Sequence, residues 1–244
     1  PAPRQFFEVL REGNALPVIF PEIHALFVVP QPEQWHPEID TGVHTMMVLD
    51  QATKLTEDPV VRFAALVHDL GKATTPTHEL PRHIAHEERG VGIVEELCDR
   101  LRIPNAYREL GVLVSRYHLH MHKITELRPQ TVLELLERLD AFRRPARFEQ
   151  FLLACEAHAR GRKGLEQREY PQPEYLRRAR EVAAAATLSA EDREGLQGFE
   201  IGKRLHDKRI HALKELKRQY AAEREPTYAA EREPTKETPP DPEH

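Results

Sequence analysis

The sequence has little of what marks secreted, membrane-spanning or cysteine-bound metal proteins. Its 244 residues include two cysteines, Cys98 and Cys155, and no C-x-x-C spacing, which argues against a disulfide framework or a zinc knuckle. It contains no signal peptide and no apolar run long enough to cross a bilayer. We therefore expect a cytoplasmic protein with no membrane partner, in which both cysteines are small core residues.

Strand periodicity is almost absent as well. The one stretch that resembles a strand is the short run 26–29, LFVV, whereas the other regular stretches repeat their apolar residues at helical spacing. The sequence therefore predicts an all-α fold. Helix starts are expected at Asp40 and Asp58, at a capping box formed by Thr131 and Glu134, and at Ser189 with its partner Asp192.

Charge is modest overall but unevenly spread. The net charge of −5 argues against a general polyanion binder. Residues 203–218 nevertheless carry seven basic and two acidic side chains on a helix with an apolar opposite face, which fits either a solvated surface or a stripe for RNA phosphates. Residues 219–244 contain YAAEREPT twice and five prolines, so we predict a disordered acidic tail.

The stretch VVRFAALVHDLGKATTP, residues 60–76, is the strongest chemical signal in the chain. An apolar helix ends in His68 and Asp69 just before a breaker, Gly71. Buried polar pairs need a partner, and a metal ion held by this pair is the simplest explanation, with Lys72 placed to meet an anion. A second His-Asp pair, at 206–207, lies among basic residues, and we interpret it as coincidental.

Further metal-competent residues lie at helix-pair distances from this pair. His44 precedes His68 by 24 residues, about one helix hairpin, and Asp140 follows on an otherwise apolar helix. Two imidazoles and two carboxylates would leave two positions of an octahedral ion open. The pattern H…HD…D with HDLGK resembles the HD phosphohydrolase superfamily, which implies that the metal ligands are His44, His68, Asp69 and Asp140.

The remaining histidines are candidates for further roles. In the superfamily, a second metal or leaving-group contacts fall near His86 and His118, so we predict catalytic roles for these two together with Asp69 and Lys72. His83, His120 and His122 are expected to be accessory. Other interpretations stay open: His44, His86 and His118 as ordinary core or surface histidines, Lys72 as an exposed lysine, and Asp140 as a partner of Arg143 or Arg144.

Longer stretches narrow the resemblance to one family. They are LPVIFPEIHALFVVPQPEQWHPEIDTGVHT, VVRFAALVHDLGKATTP, LPRHIAHEERGV, RLRIPNAYREL, LERLDAFRRP, ARGRKG and LQGFEIGKRLHDKRI. In this order they are similar to the C-terminal half of bacterial CCA-adding tRNA nucleotidyltransferases that carry an HD domain. One departure is Leu119, at a position where we would expect an Asp.

That resemblance implies a module with metal-dependent phosphatase and 2′,3′-cyclic phosphodiesterase activities, acting on tRNA or RNA 3′ ends. The divalent metal would be Ni²⁺, Mn²⁺, Co²⁺ or Mg²⁺. CTP and ATP would bind only in an N-terminal head, and because the chain begins with Pro1 and holds no Asp-x-Asp, we expect that head to be missing and CCA addition to be absent.

The resemblance also suggests how the chain is divided. The predicted parts are a connector from the head (1–35), an HD phosphohydrolase domain (36–145), a helical region with possible tRNA contact (146–218) and the disordered tail. The alternatives are a tRNA-binding body with a vestigial or structural HD site, and a stand-alone HD nucleotide phosphohydrolase.

Overall fold

The structure, a computed structural model, describes residues 2–230. Their α-helices are α1 (Pro3–Glu12), α2 (Leu16–Ile19), α3 (Pro21–His24), α4 (Thr41–Leu55), α5 (Pro59–Val67), α6 (His86–Arg100), α7 (Asn105–His122), α8 (Pro129–Arg138), α9 (Pro145–Arg160), α10 (Gln172–Ala185), α11 (Ala190–Arg193) and α12 (Gly198–Ala230). Two short 3₁₀ helices, Leu70–Thr74 and Thr77–Glu79, follow α5.

The predicted all-α fold is confirmed. Residues 2–230 contain no β-strand, and one isolated antiparallel bridge joins Pro30 to Asp40. None of the helices in this part of the chain is both long and apolar enough to traverse a lipid bilayer.

The described part of the chain divides between Arg180 and Glu181 into two compact units. In the first unit α5 is the central helix and packs against α4, α7 and α9, while α6 packs against α7 and the 3₁₀ helix after α5. In the second unit the apolar face of α12 is buried at Leu213 and Leu216. The predicted domain boundaries stay a prediction, although the first unit reaches past residue 145 and includes α9.

The two helices before the HD pair, α4 and α5, begin where predicted. The Asp40 carboxylate accepts a hydrogen bond from the Val43 amide at 2.8 Å, and Asp58 accepts one from the Val60 amide at 2.8 Å. Pro59 occupies the first turn of α5, where the amide it lacks is not needed. These caps fix where α4 and α5 begin, and α5 then runs buried toward His68.

Elsewhere the predicted helix ends shift. The Ser189–Asp192 capping box is present, but α8 begins at Pro129, before the box expected at Thr131 and Glu134. Helix α8 also ends at Arg138, so Asp140 is not helical and has a left-handed φ of 53°. Helix α12 continues beyond Gln219, where the disordered tail was expected to begin. The rest of that predicted tail, 231–244, lies outside the described residues.

The segment predicted as a connector, 1–35, is part of the first unit's core. Phe7, Leu16, Ile23 and Leu26 are at most 7% exposed and pack with α4, α5 and α6 residues. The short helical turns expected here are α2 and α3.

Gly71 sets the position of α6 relative to the HD pair. A Cβ atom at this residue would lie 2.0 Å from the carbonyl oxygen of His86 and 2.5 Å from the amide nitrogen of Gly90. Only glycine permits this approach of backbone to backbone. The first turn of α6, and therefore His86, can then lie beside Asp69.

Candidate metal centre

Five elements of the first unit each contribute to one buried cluster of imidazoles around Asp69. Helix α5 ends directly before His68 and Asp69, and four neighbouring helices supply one histidine each: His44 from α4, His86 from α6, His118 from α7 and His158 from α9. All six side chains belong to residues that are at most 6% exposed.

The Asp69 carboxylate lies in the middle of the cluster. Its Oδ2 is 3.0 Å from Nε2 of His68 and 3.9 Å from Nε2 of His44. Its Oδ1 is 3.3 Å from Nε2 of His86 and 3.6 Å from Nε2 of His118. The two oxygens therefore divide the surrounding imidazoles into two sets.

The other ring nitrogen of each histidine, Nδ1, contacts a polar partner on the side away from Asp69. Backbone carbonyl oxygens accept hydrogen bonds from Nδ1 of His68 (Ala65, 2.7 Å), His86 (His83, 2.7 Å) and His118 (Val114, 2.9 Å). A carbonyl oxygen can only accept, so Nδ1 carries the proton in these rings and Nε2 keeps its lone pair for a cation. Such partners orient metal-binding histidines and fix their tautomer.

The two remaining rings have side-chain partners. Nδ1 of His44 lies 2.8 Å from the Glu38 carboxylate, and Nδ1 of His158 is hydrogen-bonded to Nε2 of His122 at 2.5 Å. His122 in turn contacts the hydroxyl of Tyr170 through Nδ1 at 2.9 Å. If His158 presents Nε2 to a cation, its Nδ1–H donates to His122, and the chain of bonds runs outward to the tyrosine.

The atoms that face the centre are short of partners. Nε2 of each clustered histidine is buried and has no hydrogen-bond partner among residues 2–230; these are His44, His68, His86, His118 and His158. Buried polar atoms are normally satisfied, because leaving one unpaired costs about 1–3 kcal/mol. Five unpaired imidazole nitrogens around one carboxylate form a donor set that could hold a divalent metal ion.

Three overlapping groups of residues could hold such an ion. His44, His68, Asp69 and His158 can each present one ligand atom, all within 4.8 Å of one another, and so can Asp69, His86 and His118. The third group, His36, Glu38 and His44, meets the same limit and shares His44 with the first. Asp69 is common to the two groups formed around the HD pair.

Burial sets the protonation of the imidazoles. It lowers the pKa of His44 to about 3, against the favourable effect of Glu38, and it holds the pKa of His118 and His158 well below the usual range. These rings are therefore neutral at pH 7, the form that binds a metal. Burial opposes ionisation of Asp69, but the nearby His68 and Lys72 outweigh it and keep its pKa well below the ordinary value.

Lys72 is buried at the edge of the cluster and is not an exposed lysine. Its ammonium lies 2.7 Å from Oδ2 of Asp69 and donates a hydrogen bond to the Gln31 side chain at 2.9 Å. It neutralises the central carboxylate within this structure. The residue predicted to meet an anion therefore lies beside the centre, but it already has two partners.

Asp140, the fourth predicted ligand, is not brought to this cluster. Two residues beyond the end of α8, its carboxylate accepts hydrogen bonds from the Arg143 guanidinium at 2.7 and 3.1 Å. Of the alternatives left open, the arginine-partner interpretation describes this position. The sequence analysis expects this helix to continue until Pro145, which assigns Asp140 to its apolar face, whereas α8 ends at Arg138 and the chain turns at Asp140 into the left-handed region.

His158 occupies the place that Asp140 was expected to fill, and the sequence analysis missed it. Its ring centroid is 4.6 Å from that of His68 and 5.1 Å from those of His44 and His118. A signal was available, because His158 continues the buried face of α9 formed by Phe148, Phe151 and Cys155 at spacings of three and four residues.

The three histidines expected to be accessory lie in different surroundings. His83 bridges the Thr75 hydroxyl and the Pro30 carbonyl outside the cluster, His120 is exposed and contacts Tyr117, and His122 supports His158. The second His-Asp pair lies on α12 and belongs to none of the metal-competent groups found within the described residues.

Comparison with known proteins identifies the family. A family model described as the HD domain matches residues 41–191. The chain belongs to the HD domain family. The matched range includes α4, which carries His44, the HD pair itself, and every other helix of the cluster. The HD domain therefore supplies the metal-competent group, and divalent metal binding is consistent with it.

Curated relatives confirm the resemblance to the CCA-adding family. The chain is 60% identical over 221 residues to a multifunctional CCA protein of Thioalkalivibrio sulfidiphilus, 59% over 213 to one of Nitrosococcus oceani, and 54% over 218 to one of Alkalilimnicola ehrlichii. These alignments cover 87–90% of this chain and 52–54% of the relatives. The chain thus spans about half the length of the curated relatives it matches.

Proposed function

We propose that this HD domain is a metal-dependent phosphohydrolase that acts on phosphate esters at RNA 3′ ends, such as a 2′,3′-cyclic phosphate, in tRNA maturation or repair. The observation that carries the proposal is the convergence of five unpaired, buried imidazole nitrogens on Asp69. The relatives are named multifunctional CCA proteins, and for this reason we propose tRNA as the RNA substrate.

The proposed ligands are His44, His68, Asp69 and His158 for one ion, with His158 in place of Asp140. A bound divalent cation would supply a Lewis acid that polarises the phosphoryl group and lowers the pKa of a coordinated water. The protein's part is to hold the ligands in position, through Glu38 behind His44 and His122 behind His158, and to keep the imidazoles neutral by burial.

His86 and His118 fit the role of ligands to a second ion better than the predicted role of proton donors. Nδ1 of each is committed to a backbone carbonyl, so only Nε2 faces the centre. Burial keeps the pKa of His118 well below the usual range, which makes it a poor proton donor at pH 7. Lys72 would hold the Asp69 carboxylate and steady the charge of the site.

The donor set also bears on which metal is preferred. Replacing a carboxylate by His158 makes the set richer in nitrogen, and imidazole-rich sites favour Ni²⁺, Co²⁺ or Mn²⁺ over Mg²⁺, which prefers oxygen ligands and retained water. Among Ni²⁺, Co²⁺, Mn²⁺ and Mg²⁺, we propose that Ni²⁺ and Co²⁺ bind the purified chain most tightly.

The test is hydrolysis of 2′,3′-cyclic AMP by the metal-stripped chain after addition of Ni²⁺, Co²⁺, Mn²⁺ or Mg²⁺. Asp69→Asn should abolish metal-dependent turnover, and Asp207→Asn, in the second His-Asp pair, is the matched control that should keep it. Turnover that persists in Asp69→Asn would contradict the proposal. Metal binding without turnover of this or of RNA 3′-phosphate substrates would favour the alternative, an RNA-binding body with a structural HD site.

A further inference from the structure

The backbone of the segment after α9 brings Arg162 close to Glu38, the residue that contacts His44. Arg162 follows His158 by four residues, between two points at which the backbone is fixed. At Gly161 an added Cβ would lie 2.6 Å from the Cα of Val48, so the chain packs tightly on α4 about one turn after His44. At Lys163 the backbone amide donates a hydrogen bond to Glu38 Oε2 at 3.4 Å, and the other oxygen of that carboxylate contacts His44.

Arg162 is half-buried and lacks an anionic partner. Its Nε has no hydrogen-bond partner, and no ion pair between described residues includes it. Burial lowers the pKa of Arg162, while the charges of Glu38 and Asp69 oppose that change. Arg160, which is also half-buried, differs in that it pairs with Glu156 at 2.8 Å. A guanidinium withdrawn from water without an anion is a donor available to a ligand.

The charges around the centre point to the same conclusion. The carboxylates of Asp69 and Glu38 lie near two cationic side chains, those of Lys72 and Arg162. A divalent cation would add two positive charges and so favour an anion at the centre. Lys72 is already bound to Asp69 and Gln31, whereas Arg162 keeps its planar fork for two oxygens of a phosphoryl group.

We propose that Arg162 binds the non-bridging oxygens of the substrate's phosphoryl group beside the metal centre and thereby makes the site selective for phosphate esters. This inference rests on the proposed hydrolase function. It assigns the residue a binding role, and it does not require Arg162 to move a proton.

The experiment is calorimetric titration of inorganic phosphate into the full chain, with and without bound Ni²⁺. Arg162→Met keeps the length of the apolar stem but removes the charge, Arg162→Lys keeps the charge without the fork, and Arg168→Met removes an exposed arginine of the same loop as the control. We expect Arg162→Met to weaken phosphate binding at least about tenfold, as loss of a charged hydrogen bond does. Arg162→Lys should lose less, and Arg168→Met should match the wild type.

Two further readouts separate this proposal from the hydrolase itself. Ni²⁺ affinity should be the same in every variant, and the KM of Arg162→Met should rise for 2′,3′-cyclic AMP, a diester, and for p-nitrophenyl phosphate, a monoester. A rise for one ester alone supports the proposal for that class of ester. Equal phosphate binding by Arg162→Met and wild type, or no phosphate binding by either, overturns it. If the wild type binds no metal, the hydrolase proposal fails, and phosphate binding by the metal-free chain then decides the role of Arg162 alone.

Discussion

Asp69 shows how a single residue can organise a site. Its two oxygens lie within 3.0–3.9 Å of four imidazole nitrogens and 2.7 Å from the Lys72 ammonium. The Lys72 ammonium compensates part of the cost of burying this carboxylate, and a cation bound between Asp69 and the imidazole nitrogens would compensate the rest. The same arrangement explains why Asp69 belongs to both metal-competent groups formed around the HD pair.

The first prediction at the residue scale concerns whether His158 or Asp140 binds the metal. His158→Ala should weaken Ni²⁺ binding at least tenfold, since even outer partners of metal ligands cost about 10–100-fold when they are mutated. Asp140→Asn is the control and should bind as the wild type does, because its carboxylate is engaged by Arg143. The measurement is calorimetric titration of metal. Loss in Asp140→Asn with full affinity in His158→Ala would restore the ligand set predicted from the sequence.

A second residue-scale prediction concerns the support of His158. His122→Phe removes the acceptor for Nδ1 of His158 and also the contact with Tyr170. We expect a loss of Ni²⁺ affinity of about 10–100-fold, the range seen when outer partners of metal ligands are removed. His120→Phe, an exposed change in the same turn of α7, should leave the affinity unchanged. Equal affinities in the two variants would exclude a supporting role for His122.

At the scale of elements, close packing of backbone holds the ligands in register. Helix α6 can contact the turn after Asp69 only because Gly71 has no side chain, and α9 approaches α4 at Gly161 for the same reason. These contacts determine where His86 and His158 lie. Their effect is therefore on stability and on geometry together.

Gly71→Ala is the test of this packing. The added Cβ would lie 2.0 Å from a carbonyl oxygen, so we expect the free energy of unfolding to fall by about 1–3 kcal/mol, as for other overpacked sites. Gly92→Ala is the matched control, because its Cβ would meet nothing within 4 Å on an exposed face of α6. The free energy of unfolding of that variant should rise by about 0.5–1 kcal/mol, because alanine has a higher helix propensity than glycine. Guanidinium chloride unfolding measures both, and equal stabilities would contradict the packing argument.

At the scale of the whole molecule, the buried histidines make stability depend on pH. Burial lowers the pKa of His44 and of His122 to about 3, whereas an unfolded histidine titrates near 6.5. Between these values the unfolded chain binds more protons than the folded chain. The contribution of these histidines to the free energy of unfolding is therefore fully present above about pH 6.5. It is lost as the pH decreases toward 3.

For the metal-free chain we predict a loss of up to about 1.4 kcal/mol per pH unit for each such histidine below pH 6.5. Unfolding by guanidinium chloride at several pH values between 7.5 and 5 measures the slope. His122→Gln should reduce it, and His78→Gln, at an exposed position, should not. A slope near zero between pH 6.5 and 5 would show that these rings are not buried as neutral groups.

The long basic helix gives the second prediction at this scale. Arg204 and Lys208 of α12 are partly neutralised by Asp192, but Lys203 and Lys214 are exposed on the same helix. If this helix contacts RNA phosphates, the Lys203→Gln/Lys214→Gln double variant should bind tRNA more weakly. The number of phosphate contacts derived from the salt dependence of its affinity should fall by up to about two. Lys54→Gln/Lys123→Gln is the control in the first unit. The same salt slope in both variants would argue against RNA contact by α12.

The sequence by itself determined the elements and most of the chemistry. Helical periodicity gave the all-α fold, the side-chain caps at Asp40 and Asp58 placed α4 and α5, and the apolar run before His68 identified the metal-competent pair. These are local properties, set by side chains within a few residues of one another. The match to the HD domain and the CCA relatives agrees with that interpretation.

Tertiary structure alone decided which distant residues meet Asp69. The later helices bring His158 and not Asp140 to the cluster, because α8 ends at Arg138, short of the predicted end before Pro145, and the Asp140 carboxylate contacts Arg143. Local sequence does not fix such an end, which depends on how the helix packs. The positions of Glu38, His122 and Arg162 beside the centre follow in the same way from the packing of loops on α4, α7 and α9, which no spacing in the chain expresses.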